Sequence, residues 1–150
     1  MTSIAVIGYG NPGRGDDGLG PAAAAELSRL KLPGVTVSDP YQLAPEDALD
    51  IANEDAVVFV DAAHVGPEPF FEEELLAAEA IDFDSHRLSP QTLLALAKRH
   101  FGKAPRAYLI GVRGYSFEFE EALSAQAAAN LEAALAALLK RIRALEGGAA

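Results

Sequence analysis

The chain has 150 residues, and half of them are hydrophobic, which predicts one globular domain and excludes a disordered chain. It carries 22 acidic and 12 basic residues, and the net charge of −10 argues against nucleic acid and anionic membranes as partners. It contains no cysteine, which excludes disulfides, thiol nucleophiles and cysteine metal sites.

Strand-like and helix-like segments alternate along the first half of the chain. Apolar or alternating runs predict strands at residues 4–7, 35–39 and 56–60. Segments that are rich in Ala and Leu, or that begin with acidic residues, predict helices at 21–30 and 45–53. The apolar run at 4–7 is too short for a secretion signal or a membrane span, so we expect a cytoplasmic protein.

The alternation continues in the second half. Residues 68–75 predict a strand or an edge segment, and residues 107–112 predict a buried strand. Ser89 followed by a first-turn proline predicts a helix that runs to residue 100. Residues 124–145 carry apolar side chains at three- and four-residue steps, which predicts the last helix.

This order of elements predicts a single α/β domain over residues 1–150. The expected architecture is a three-layer sandwich, in which a mostly parallel, twisted sheet carries helices on both faces. Ligands of such folds bind beyond the carboxyl ends of the strands. The residues that follow each strand are therefore the candidates for a functional site.

A glycine-rich loop follows the first predicted strand. Its glycines at 8, 10 and 13 match the dinucleotide-binding pattern G-x-G-x-x-G, and Asp39 could serve as the ribose-binding acid. However, Pro12 removes one backbone N–H, and the carboxylates of Asp16 and Asp17 would repel a pyrophosphate. Carboxylates on such a loop suit a cation instead. Asp17 is the better candidate ligand, because Asp16 could equally cap the next helix.

Acidic and imidazole groups follow other predicted strands. Asp61 comes directly after the 56–60 strand and would face the ligand crevice, although it could also form a turn. His86 lies in a loop just before a helix, whereas His64 is a rival close to Asp61, and the position of His100 at a helix end favours a dipole interaction. Asp17, Asp61 and His86 offer two oxygens and one nitrogen, a set that a borderline divalent ion accepts with open positions left.

A serine hydrolase is disfavoured. Ser85 directly precedes His86, but sequence neighbours rarely point at each other productively, and the chain has no G-x-S-x-G elbow.

Three elements of the chain together resemble the [NiFe] hydrogenase maturation proteases. The sequence Gly8-x-Gly10-Asn11, followed by Asp16-Asp17-Gly18-x-Gly20, is similar to the opening motif of that family. Asp61 after an apolar strand resembles the family's second acid, and Ser85-His86 before a helix resembles its histidine element. The segments 42–46, 85–86 and 107–114 look most like the branch that serves bidirectional, soluble hydrogenases. Many family members carry Glu where Asp17 stands here.

The resemblance implies an endopeptidase that removes the C-terminal extension of a hydrogenase large-subunit precursor after nickel insertion. It implies that Asp17, Asp61 and His86 contact nickel that the precursor supplies, so the partner is that precursor and the metal belongs to it. Asp16 or Asp17 would assist as a base. The oligomeric state is left open, and a monomer is compatible with the family. Two alternatives remain at this point: a non-catalytic, nickel-dependent maturation chaperone and a nucleotide-binding oxidoreductase.

Overall fold

One five-stranded mixed sheet forms the centre of the computed structural model, which describes residues 2–79, 88–120 and 122–147. Its strands are β1 Ile4–Gly8, β2 Val35–Ser38, β3 Ala56–Ala63, β4 Phe70–Leu75 and β5 Arg106–Arg113. Their order in the sheet is β2-β1-β3-β5-β4. The first four of these run parallel, and β4 pairs antiparallel with β5 at the edge.

Four helices cover the sheet: α1 Leu19–Arg29, α2 Asp47–Ala52, α3 Pro90–Phe101 and α4 Ala125–Glu146. Residues of α1 and α4 share one hydrophobic cluster with the sheet, and residues of α2 and α3 share the other. The predicted three-layer α/β sandwich with a mostly parallel sheet is therefore confirmed.

The central strands are apolar throughout because both of their faces are buried. In β3, Val58 and Val60 belong to the cluster beneath α1 and α4, whereas Val57 and Phe59 belong to the cluster on the opposite face. Successive side chains of a strand point to opposite faces, so a strand covered on both sides needs an unbroken apolar run. This packing places β3 at the centre of the sheet. Its carboxyl end lies beside the carboxyl ends of the other parallel strands.

Two helix starts agree with the serine caps that the sequence predicts. Ser89 accepts a hydrogen bond from the backbone N–H of Thr92 at 3.1 Å, and Ser124 accepts one from Ala127 at 3.2 Å. Each bond satisfies an N–H that the helix itself leaves unpaired. No helix in the described part of the chain is long and apolar enough to cross a membrane.

Two boundaries differ from the prediction in ways that affect the site. β3 continues to Ala63, so Asp61 lies inside the last part of the strand, opposite Gly111 of β5, and does not follow it as predicted. α1 begins at Leu19 instead of residue 21, and a 3-10 turn over Gly15–Gly18 precedes it. The strand continues through Asp61 because its backbone still pairs with β5, and a polar side chain at the half-buried end of a strand does not prevent this pairing.

Candidate active site

A cleft of about 360 Å³ opens at the carboxyl ends of the parallel strands. Loops that follow β1 and β2 form two of its walls, and the end of β3 and the segment before α3 form the others. The polar and aromatic side chains that line it include Asn11, Arg14, Asp17, Tyr41 and Asp61. This is the edge at which ligands bind in open parallel sheets.

The carboxylate of Asp17 is held in this cleft by the loop that precedes it. Its Oδ2 accepts a hydrogen bond from the backbone N–H of Asn11 at 2.8 Å. Among the described residues, no donor reaches its other oxygen, Oδ1. The loop is itself closed by two further bonds, since Asn11 Oδ1 accepts from Gly13 N–H at 2.9 Å and Asn11 C=O accepts from Arg14 N–H at 3.0 Å. Asp17 is therefore positioned by backbone geometry while one oxygen remains able to bind a ligand.

Asp61 enters the same cleft from the end of β3. The residue is half-buried, and its Oδ1 accepts a hydrogen bond from Ala62 N–H at 2.8 Å. The structure thus brings together two of the three residues that the sequence singles out: Asp17 from the 3-10 turn after β1, and Asp61 from the end of the neighbouring strand β3. Two carboxylates in one cleft repel each other, and a cation bound between them would offset that repulsion.

Asp16 points the opposite way from Asp17, into the protein. Its side chain is fully buried and accepts four hydrogen bonds, from the N–H groups of Tyr115, Ser116 and Ser124 and from the Ser124 hydroxyl, at 2.7–3.0 Å. It does not cap α1, whose N-cap is Gly18 without a side-chain bond. The predicted cap is therefore wrong. Asp16 instead holds the segment that leads into α4, including the residue that caps that helix.

Opposing effects set the acidity of Asp16. Burial alone raises the pKa of its carboxyl group, but the hydrogen bonds from Ser116, Ser124 and Tyr115 stabilise the charged form and bring the pKa below its ordinary value. The Asp16 side chain is also buried and does not line the cleft, so a substrate in the cleft would not meet it as a base.

Gly10 allows the backbone of Asp17 to approach the end of β1. Its φ of +143° is one that L side chains rarely adopt, and a Cβ at this position would overlap the carbonyl oxygen of Asp17. We expect Gly10→Ala to displace Asp17 and to lower the peptidase activity that the resemblance implies by roughly 10²-fold, the cost of about 1 Å of misplacement. The rate at which a precursor is cleaved measures the effect.

Gly66→Ala is the matched control for that variant. Gly66 also has a positive φ, +110°, but a Cβ there would meet nothing within 4 Å. Both variants carry backbone strain of about 1–3 kcal/mol, and Gly10→Ala adds the overlap with the Asp17 carbonyl, so its melting temperature should fall further than that of Gly66→Ala. Equal activity of the two variants would show that the contact between Gly10 and Asp17 does not position the carboxylate.

Of the three histidines, the structure describes His64 and His100, and neither lines the cleft. His86 lies outside the described residues, as do Asp84 and Ser85. The rival His64 lies just beyond β3, does not line the cleft, and stacks on Phe117 with ring centroids 3.6 Å apart. His100 is exposed in the last turn of α3, which agrees with a dipole interaction. In the described ranges, no three His, Asp or Glu side chains are grouped closely enough to hold a metal ion.

The glycine pattern that resembles a dinucleotide site serves chain packing. A Cβ on Gly8 would overlap the carbonyl oxygen of Gly20, so its absence lets α1 lie close to β1. The 3-10 turn separates β1 from α1, and the N-terminus of α1 therefore does not directly follow the glycines as a pyrophosphate site requires.

Solved structures with the same fold identify the family. A [NiFe] hydrogenase maturation protease, HycI from Thermococcus kodakarensis, is 30% identical with a TM-score of 0.72 over 93% of this chain and 91% of that one. The chain belongs to the [NiFe] hydrogenase maturation protease family. It is therefore a hydrogenase maturation endopeptidase.

Two further solved structures share the fold. The hydrogenase 2 maturation peptidase of a Thaumarchaeota archaeon is 25% identical, with a TM-score of 0.71 over 94% of this chain and 98% of that one. The hydrogenase maturating endopeptidase HybD from E. coli is 24% identical and shares the fold, with a TM-score of 0.72 and coverage of 95% and 93%. No family profile and no curated protein matches the sequence. The branch of the family within which the protease falls is not resolved by these likenesses.

Sequence reasoning missed the residues that form the rim of the protease's cleft. Tyr41 lines the cleft and is 70% exposed, and Arg14 lines it from the loop after β1. The guanidinium of Arg14 lies 5.0 Å from the centroid of the Phe119 ring, which is 86% exposed. The sequence signal that could have indicated Arg14 was its position as the single basic residue in a loop of glycines and aspartates. Its partner Phe119 is more than a hundred residues away in sequence and gave no signal.

Proposed function

We propose that the protease removes the C-terminal extension of a [NiFe] hydrogenase large-subunit precursor after nickel insertion, and that it recognises the bound nickel. One observation carries the proposal. Asp17 and Asp61, which belong to different segments of the chain, line one cleft at the carboxyl edge of the sheet. In a chain of this family, a paired-carboxylate cleft suits a substrate that brings a divalent cation.

Three residues are assigned to nickel contact: Asp17, Asp61 and His86. His86 enters from the sequence alone, as the histidine that precedes α3. Two oxygens and one nitrogen leave part of a coordination sphere open, and the precursor supplies the metal together with its remaining ligands. A precursor without nickel would bring no cation to the two carboxylates in the cleft. Only the nickel-loaded precursor therefore gains the binding energy of the metal contacts, so cleavage follows metal insertion.

The proposed reaction is the hydrolysis of one peptide bond. Nickel in the docked precursor polarises the scissile carbonyl as a Lewis acid. A water oxygen attacks the carbonyl carbon, the C–N bond breaks, and the proton lost by the water passes to the leaving amine. Asp17 is assigned to contact nickel through Oδ1, which has no donor among the described residues, and to relay the proton through Oδ2, which keeps a lone pair beside its bond from Asn11 N–H.

Incubation of a nickel-loaded precursor with the protease, followed by intact-mass spectrometry, tests the cleavage step. We expect the precursor to lose the mass of its tail and the tail to appear as one released peptide. A stable complex of protease and precursor, with the precursor mass unchanged, would contradict the proposal and return the chaperone alternative.

A further inference from the structure

Arg14 is the one basic side chain among the described residues that line the cleft. In the described part of the chain, no carboxylate lies within ion-pair distance of its guanidinium, and the ion pairs there belong to Arg29, Arg106 and Arg141. Its charge is therefore not neutralised by a carboxylate of the described residues, although the protein carries an excess of acidic residues.

The position of this guanidinium is fixed by the fold. Gly15 N–H donates to the carbonyl of Glu120, and Glu120 N–H donates to the carbonyl of Gly13 at 3.0 Å, so the loop after β1 is paired with the segment that carries Phe119. The Arg14 guanidinium then lies over the Phe119 ring. An arginine that is held on an aromatic face loses less entropy when it binds a planar carboxylate.

We propose that Arg14 is a specificity-determining residue that binds a carboxylate of the precursor at the rim of the cleft; this rests on the proposed function. The charges of the site favour that partner. The two carboxylates of Asp17 and Asp61 are offset by the divalent nickel of the substrate, and the described residues offer no counterion for the charge of Arg14. Docking of the precursor removes water from this rim, so an opposite charge on the precursor is needed to keep binding favourable.

The carboxylate has two sources: an Asp or Glu side chain near the scissile bond, or the C-terminal carboxylate of the tail. Each is recognised by the same two-pronged hydrogen bonding to a guanidinium. Precursor variants distinguish them. One set of precursor variants replaces single acidic residues of the tail and of the flanking segment with Asn or Gln. A further precursor carries an amidated C-terminus in place of the C-terminal carboxylate.

Steady-state processing by Arg14→Gln tests the inference. We expect KM to rise by about tenfold while kcat changes by less than about twofold, because a rim charge acts on binding. The KM of the wild type should rise with ionic strength, and that of Arg14→Gln should respond much less. The precursor variant that lacks the partner carboxylate should give the same rise in KM, with no further rise when combined with Arg14→Gln.

Arg29→Gln is the matched control, since Arg29 is exposed near the C-terminal end of α1, pairs with Glu26 and does not line the cleft. It should leave KM unchanged. An unchanged KM for Arg14→Gln, or additive effects with every carboxylate variant and with the amidated tail, would overturn the inference. Cleavage by the wild type in the same assay keeps that outcome separate from a failure of the proposed function, in which the wild type itself would not cleave.

Discussion

Asp17→Asn and Asp61→Asn should each lower the rate of precursor processing by about 10²-fold or more while leaving the fold intact. Both side chains line the cleft and are only half-buried, so replacing a carboxylate with an amide of the same shape removes charge without opening a cavity. A positioned proton acceptor alone contributes about 10²–10⁴-fold. The release of the tail peptide over time, measured by mass spectrometry, gives the rates.

Two further variants separate charge from shape in that experiment. Asp17→Glu keeps a carboxylate one methylene further out and should retain much of the activity. Asp50→Asn removes an exposed aspartate that does not line the cleft and should process at the wild-type rate. Wild-type processing by Asp17→Asn or Asp61→Asn, with unchanged melting temperatures, would remove these residues from the reaction.

Asp16→Ala should destabilise the protein by about 3–5 kcal/mol, the usual cost of removing one partner from a buried charged network. The substitution leaves the N–H groups of Tyr115, Ser116 and Ser124 without their acceptor in the interior. For a domain of this size, the melting temperature should fall by about 10 °C or more. Urea unfolding at neutral pH measures the loss.

The pH dependence of stability has a definite sign at this residue. The folded-state pKa of Asp16 lies below its ordinary value of 3.8, so the ionised carboxylate stabilises the folded state above that pH. This contribution declines as the pH falls from 3.8 through the lower folded-state value. The stability difference between the wild type and Asp16→Asn should therefore be largest near neutral pH and should shrink in this acidic window.

Asp55→Asn is the control for burial in these unfolding measurements. Asp55 also accepts hydrogen bonds, from the N–H and hydroxyl of Ser3, but it is exposed. Its replacement should cost about 1 kcal/mol or less, because water can satisfy the groups that lose their partner. An equal cost at both positions would mean that the enclosure of Asp16 does not determine its effect.

The fold could be predicted largely because its signals are local. A strand covered on both faces must be apolar throughout, and the run from Ala56 to Val60 shows this directly. A serine followed by Pro90 marks the start of α3 for an equally local reason. The antiparallel direction of β4 could not be predicted from local sequence patterns. Its antiparallel pairing with β5 depends on how the chain returns to the sheet edge, and an exposed, acidic strand carries little pattern.

The site was predicted in part, and the missing part depends on distant contacts. Asp17 and Asp61 could be found because each stands near the end of a strand, where parallel topology brings residues together. The sequence could not predict that the side chains of Asp16 and Asp17 point in opposite directions. They depend on partners of Asp16 that lie 99 to 108 residues further along the chain. The stacking of Arg14 on Phe119 is another contact between segments that are distant in sequence.

The central claim is that cleavage depends on nickel carried by the precursor. It is tested most directly by the intact mass of one precursor preparation after incubation with the protease, in its nickel-loaded form and in its nickel-free form. We expect only the nickel-loaded precursor to lose its C-terminal extension, with the nickel-free form processed at least about 10²-fold more slowly. Removal of the extension from both forms at the same rate would contradict the claim.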